Sequence, residues 1–317
     1  MALDDTVVFS VLGLPNAVAD LRPLRGIPIS DLDVRANAIT DLAGLEGMPL
    51  KRLKIWQTKV RDLGPLRGAP LVELAASITE VDDLKPLAGM PLEILDVTGL
   101  PKIRDLTPLR GMKLRELFLG GTDVSDLSVL RGMPLRILEA SAGCGLEVIS
   151  QLPLQRLRLS LSRVTDIAPL RGMKLESLDI GFTHVRDISA LRGMPLKVIT
   201  LDGCVSLTDY SPLADCPQLE RLYAARSSIS DLAPLRGLPL KVLRLDDTPV
   251  AHVSPLLDMP DLENAFVPRT AKNLDVLRRH PKLKYLGWEG DGNPDFPTLT
   301  VAEFWARYDA LPKAGTK

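Results

Sequence analysis

The chain has 317 residues, 45% of them apolar and 25% charged, and its 39 basic and 40 acidic residues leave a formal net charge of −1. That balance excludes a global electrostatic pull toward nucleic acid or an anionic membrane surface, and no apolar run approaches the ~18 residues needed to span a bilayer. Only Cys144, Cys204 and Cys216 are present, in no C-x-x-C spacing, and acids stand where a signal peptide has its basic stretch; both features predict a reducing, cytoplasmic setting.

Residues 1–19 read as a degenerate first repeat and N-terminal edge. An edge strand is expected at Phe9–Val11, and LGLPNAVADL parallels TGLPKIRDL at Thr98–Leu106. No separate cap precedes it, although a solenoid end exposes apolar edge and ordinarily needs one. Repeats then start at Asp20, Asp41, Asp62, Asp83, Asp105, Asp126, Gly145, Asp166, Asp187, Asp209 and Asp231, with looser ones near His252 and Asn273. Asp105–Ser125 reads DLTPLRGMKLRELFLGGTDVS, Asp166–Arg186 reads DIAPLRGMKLESLDIGFTHVR and Asp231–Ala251 reads DLAPLRGLPLKVLRLDDTPVA. The stretch Asp126–Cys144 is short, so a turn must tighten there, at SAGCG (Ser141–Gly145).

Each repeat has a physical reading. Alternation in Leu114–Leu119, with Leu117 and Leu119 inward, predicts a short strand buried on one face. GGTDV is the turn that follows. Thr122, Thr58, Thr183 and Thr248 occupy the place where Asn37 keeps an Asn; stacked hydroxyls there would satisfy buried turn amides. Asp126 and its equivalents suit an N-cap, and Pro65, Pro108 and Pro169 suit a first turn. The remaining length allows only a short 3₁₀ turn before Gly-Met-Pro reverses the chain. Leucines of the strand, Val124, Leu127 and Leu130 point inward, and only stacking on neighbouring repeats can bury them.

Thirteen or so such strands predict one parallel sheet on the order of 60 Å long. At the end, Thr300 and Glu303 match the capping-box pattern. Val301, Phe304, Trp305, Tyr308 and Leu311 recur at helical spacing, predicting a cap helix over about Val301–Ala310 laid on the last strand near Tyr285 and Trp288. Pro312–Lys317 is expected to fray. The domain reading is 1–19 edge, 20–294 solenoid, 295–317 cap helix and tail.

The pattern PLRGMPLxxLxLxxTxVxDLxPL resembles the short-period, 21–22 residue, internalin-like class of bacterial leucine-rich repeats over about residues 9–290. The closing HPKLKYLGW and EFWARYDAL are similar to repeat tails of bacterial serine/threonine-kinase-associated proteins, which suggests the repeat module of a bacterial signalling protein. No kinase glycine loop, HRD-type or DFG motif occurs, so kinase activity does not carry over. The resemblance implies an α/β solenoid: a leucine-rich repeat arc with one parallel β-sheet on the concave face, short 3₁₀ turns on the convex side, a C-terminal capping helix, and a concave face that binds a macromolecule.

Register then picks out the residues that such a face presents. Arg52, Lys54, Trp56, Phe118, Arg156, Arg158, Arg221, Tyr223, Arg226 and Arg244 are the candidate partner-binding set, with Phe266 and Tyr285 outward near the end. Aromatics and Arg are the types enriched in binding hot spots. Asp31, Asp33, Glu73, Asp96, Glu116, Glu139 and Asp179 share the face, making the first half more acidic and Gln155–Arg244 more basic. The plainer reading of these charges is cross-strand pairing. Phe182, one step into the turn, could fold back on the core. A second row, Arg25, Arg67, Arg110, Arg131, Arg171, Arg192 and Arg236, belongs to the convex side, each with an acid nearby.

Catalysis finds no constellation. His184, His252 and His280 fall in non-equivalent repeats, His280 reading as a cap before Pro281. Cys144 sits in a Gly-rich context that suits a reactive thiol, a small buried residue being the plainer reading; Cys204 takes a Thr/Asn ladder position. Asp291-Gly-Asn293-Pro-Asp295 has oxygens at alternate places but lacks the calcium-loop glycine, and reads as a turn. No enzyme activity, cofactor or metal is expected. The functional expectation is a non-catalytic protein–protein interaction scaffold, monomeric or weakly self-associating; the alternative is a structural, self-associating solenoid without a specific ligand.

Overall fold

A short strand with an inward apolar residue at its centre, in most coils a leucine, organises the chain. The computed structural model describes residues 7–10, 18–141, 145–288, 292–293 and 296–311, with backbone alone at 7, 292, 293 and 296. The chain divides into two units, Met1–Arg158 and Leu159–Lys317, and each is a leucine-rich solenoid of parallel strands.

The described strands of the first unit are β1 (Val7–Ser10), β2 (Ile29–Asp33), β3 (Arg52–Lys54), β4 (Glu73–Ala75), β5 (Ile94–Asp96), β6 (Glu116–Phe118), β7 (Ile137–Glu139) and β8 (Arg156–Arg158). They pair in chain order, all parallel and one residue to one residue, with a single irregularity between Val7 and Val8. Leu32, Leu53, Leu74, Leu95, Leu117, Leu138 and Leu157 form the buried centre column, none more than 2% exposed. The second unit repeats this with β9 (Ser177–Asp179), β10 (Val198–Thr200), β11 (Arg221–Tyr223), β12 (Val242–Arg244), β13 (Asn264–Phe266) and β14 (Tyr285–Gly287). Because a strand residue and its neighbour point to opposite faces, the residues flanking each central leucine all stand on the other, open face. The edge strand lies at Val7–Ser10, starting two residues before the predicted Phe9–Val11, and Val11 falls outside the described residues.

A 3₁₀ turn sits on the far side of each regular coil, for example Gly64–Leu66, Thr107–Leu109 and Ala168–Leu170, each with Pro in its first turn. The aspartates act one residue earlier than an N-cap. The cap position is Leu63 or Leu106, which makes no side-chain bond, while Asp62 Oδ1 accepts the Gly64 N–H at 2.7 Å and Asp105 Oδ1 that of Thr107 at 2.8 Å. This is an Asx turn that leads the chain into the 3₁₀ segment. The shortened stretch keeps its 3₁₀ turn at Ser128–Leu130, and α1 (Leu146–Ile149) takes the place of that turn in the repeat that follows it; residues 142–144, Cys144 among them, lie outside the described residues. Gly111, in the reversal that follows the 3₁₀ segment, has φ +78°, the left-handed region that favours glycine.

The Thr positions work differently from a stacked ladder. Thr58, Thr122 and Thr183 each donate their hydroxyl at 2.7 Å to the carbonyl three residues back, closing their own coil. They satisfy carbonyls more than amides. Cys204 makes the inter-coil contact instead, its Sγ 3.1 Å from the Ile180 carbonyl of the preceding coil.

Just before the Thr, Ser or Asn of these turns the backbone goes left-handed, at Ala36, Gln57, Ile78, Leu161, Phe182 and Arg226. The kink aims the N–H at the next coil: Ile78 N donates to Thr98 O at 2.9 Å, and Phe182 N to Asp202 O at 2.6 Å. The Phe182 ring does not return to the core. It is 47% exposed and lies against Gly203, where an added Cβ would stand 2.4 Å from the ring.

The second unit ends in α2 (Val301–Asp309), one residue shorter than predicted. Its capping box is complete: Thr300 Oγ1 accepts from Glu303 N at 3.3 Å and Glu303 Oε2 accepts from Thr300 N at 2.9 Å. Phe304 packs on Trp288 with ring centroids 4.3 Å apart. The Asp291–Asp295 string falls largely outside the described residues, as does the tail after 311.

Candidate functional site

In the first unit the open face has three columns. Counting along each strand, the first is Arg52, Glu73, Ile94, Glu116; the second is Lys54, Ala75, Asp96, Phe118; the third lies just beyond the strands at Arg35, Trp56, Ser77, Thr98. Large side chains at β3 and β6 flank small ones at β4. The result is an open hollow of about 360 Å³ whose lining includes Lys54, Trp56, Ala75, Ser77, Asp96 and Phe118. From the β3 wall to the β6 wall is three strand spacings, about 14 Å. Trp56 and Phe118, both half-buried, are therefore brought to opposite sides of one depression.

The electrostatics of this hollow are set by which charges already have partners. Arg35 stands 5.3 Å from the Trp56 ring centroid and 3.2 Å from Asp33. Lys54 meets Glu73 at 3.3 Å, and Arg52 pairs with Asp31 on the preceding strand. So Arg52 and Lys54 are largely spent on their neighbours. Asp96 Oδ1 accepts the Thr98 N–H at 2.9 Å. Among the described residues neither Asp96 nor Glu116 has an ion pair. Farther along, Arg158 meets Glu139 at 3.0 Å, whereas Arg156 is exposed with no ion pair among the described residues.

The second unit carries the remaining candidates. Arg244 is drawn inward: it chelates Asp246, at 2.7 and 3.1 Å, and stands 3.9 Å from Asp202. Asp246 is 1% exposed, so the guanidinium serves to compensate a buried carboxylate. Burial pushes the Asp202 carboxyl above the ordinary range, against the Ala225 N–H that it accepts at 2.7 Å. Tyr223, half-buried, neighbours Arg244 across β11 and β12. Arg226 is exposed at a left-handed position and lies 3.5 Å from Asp247. Arg221 is exposed without an ion pair among the described residues. Phe266 departs from expectation. Its register is outward, yet it is 3% exposed, because Arg244 stands 5.6 Å from its ring and Gly287 closes on its edge beneath Pro297 of β16 (Phe296–Pro297), which pairs with β15 (Gly292–Asn293). Tyr285 stays exposed at 40%.

Neighbour-coil pairs recur elsewhere: Lys197–Glu176 at 2.9 Å, Lys241–Glu220 at 3.0 Å and Lys284–Glu263 at 3.0 Å. The convex arginines divide. Arg236 pairs with Asp258 at 3.4 Å and Arg192 with Asp215, but Arg131 and Arg171 reach only Gln151 and Ser189, and Arg25, Arg67 and Arg110 have no ion pair among the described residues.

The thiols of Cys204 and Cys216 are buried and shifted upward by burial, the latter to about 11, which keeps them protonated near neutrality. His280 is a cap in the manner expected. Its Nδ1 accepts the N–H groups of Lys282 and Leu283, at 3.3 and 3.1 Å, and Nε2 donates to Met259 O at 3.1 Å. No helix among the described residues is long and apolar enough to cross a membrane.

The sequence named the walls of the hollow but not its floor. Ala75 and Ser77 carry the signal, two small side chains at outward positions of one repeat between repeats bearing aromatics.

Solved structures resemble most of the chain. An internalin, InlF, from Listeria monocytogenes matches with TM-score 0.69 and 25% identity, over 78% of this chain and 76% of that one. The functional domain of InlJ from Listeria monocytogenes, which includes a cysteine ladder, matches with TM-score 0.55 and 20% identity, over 78% and 60%. A leucine-rich repeat protein of Leptospira interrogans matches with TM-score 0.50 and 16% identity, over 91% and 72%. No family model matches the sequence, and no curated protein does.

Proposed function

We propose that this chain, whose repeats have the fold of the short-period internalin-like leucine-rich class, is a non-catalytic scaffold that binds a protein partner on the open strand face, with its anchor point in the first unit. One observation carries this reading: Trp56 and Phe118 wall a single hollow over small floor residues. Large half-buried aromatics around a concavity are what a binding hot spot requires. Arg156 and Arg158 extend the surface within the first unit, where Arg52 and Lys54 orient its charges from within ion pairs; the open face of the second unit carries Arg221, Tyr223, Arg226 and Arg244 as a further set. In this reading residues 1–19 are a degenerate first repeat at the edge of the solenoid 20–294, and 295–317 its cap helix and tail.

The test compares capture of partners from the native host by wild type, Trp56→Ala, Phe118→Ala and Tyr223→Ala. Trp56→Ala and Phe118→Ala are expected to lose a partner that wild type retains, with thermal melting almost unchanged. If all variants retain the same partners, the assignment of the face fails.

A second reading is self-association through β1, where Val8 is 74% and Phe9 38% exposed on an edge strand. Light scattering separates the two, since a mass that rises with concentration supports stacking of chains.

A further inference from the structure

The chemistry of the hollow specifies its occupant more closely. Resting on the reading above, we infer that the hollow of the first unit takes an extended, basic peptide segment, with apolar residues against Trp56 and Phe118 and Arg or Lys side chains on Asp96 and Glu116. Three facts converge on this. The cations around the hollow, Arg35, Arg52 and Lys54, already hold Asp33, Asp31 and Glu73. The carboxylates of Asp96 and Glu116 line it with no ion pair among the described residues, so the face offers two uncompensated negative charges. Asp96 is also fixed in place, because Thr98 N–H holds Oδ1 at 2.9 Å.

The dimensions agree. Asp96 and Glu116 are diagonal neighbours on β5 and β6, about 7–8 Å apart for such a pair, which two consecutive or alternate cationic side chains can bridge. The walls stand about 14 Å apart, the reach of roughly four extended residues. An acidic segment would meet the same two carboxylates and be repelled, so the hollow selects by charge as well as by shape.

The experiment titrates the full chain against fluorescein-labelled octapeptides carrying Leu-Arg-Arg-Leu, Leu-Gln-Gln-Leu or Leu-Glu-Glu-Leu at their centre, read by anisotropy. The Arg peptide is expected to bind about tenfold tighter than the Gln peptide, the Glu peptide weaker still. Asp96→Asn with Glu116→Gln should erase the preference, as should raising salt from about 0.05 to 0.5 M. The Asn keeps the oxygen that accepts from Thr98, so the double variant should melt with wild type. Equal binding of the three peptides, still lost in Trp56→Ala, overturns the basic occupant and leaves the hollow as a binding site. A preference that survives the double variant overturns it too. Binding of the Arg peptide that is indifferent to both Trp56→Ala and Phe118→Ala removes the hollow as the site, and the reading beneath it.

Discussion

Ile78 is β-branched yet held at φ 53°, where L-residues pay a steric cost of about 1–2 kcal/mol. Two contacts hold it there, the hydrogen bond from its N–H to Thr98 O and the packing of its Cγ1 near Gly99. Its side chain is 57% exposed, so little burial is lost on replacement. Ile78→Asn, a residue that tolerates this backbone, should therefore raise stability by about 0.5–1 kcal/mol, read as a higher urea midpoint at unchanged slope. A lower midpoint would mean that the packing on Gly99 outweighs the strain. His280 is the opposite case, a ring committed on both nitrogens. His280→Ala leaves two backbone donors and a carbonyl without partners in a partly buried turn and should cost about 1–3 kcal/mol, again measured by urea unfolding.

The terminal helix shows how an element is held by few contacts. Within α2, Phe304 is fully buried, and Trp305 receives the Arg278 guanidinium 4.0 Å above its ring. Arg278 also meets Asp275 of its own 3₁₀ segment, Leu274–Arg279, at 3.0 Å and Asp309 at 2.6 Å, the latter tying that segment to the end of α2. Thr300→Ala, which removes the capping box, should cost about 1 kcal/mol. Arg278→Ala should add loss of packing, since an Arg stem covers apolar surface as well as carrying charge. Both variants are expected to speed amide exchange in α2 while leaving the central strands β10–β12 protected; uniform acceleration would show that the helix and the repeats open together.

At the scale of the molecule, the aspartate turns make stability depend on acid. The N–H and hydroxyl donors of Thr107, Ser128, Ser189 and Ser211 hold the carboxyls of Asp105, Asp126, Asp187 and Asp209 below their ordinary value of 3.8. A carboxyl with a lowered folded-state pKa stabilises above the unfolded value, and that contribution is lost as pH falls through the folded one. Asp202, raised by burial, runs the other way and is relieved by acid. The lowered group is the larger, so melting temperature should hold from pH 7 to about 5 and fall below about 4. Asn at Asp105, Asp126, Asp187 and Asp209 together should flatten that fall; an equally steep one would place the acid sensitivity elsewhere.

The coil period, the inward leucines at Leu117 and Leu119, the 3₁₀ turns after Asp and Pro, and the capping box at Thr300 were all legible in the sequence. Each depends on residues close in the chain, or on a burial pattern that every repeat restates. The open face was legible only as a register. Tertiary structure decided that Phe266 lies covered, that Arg244 is committed to Asp246, and that Ala75 and Ser77 drop the floor between Trp56 and Phe118. The reason is physical: an inward side chain meets the same leucine column in every coil, whereas an outward one meets whatever the coils beside it supply, and one repeat cannot announce what its neighbours place against it.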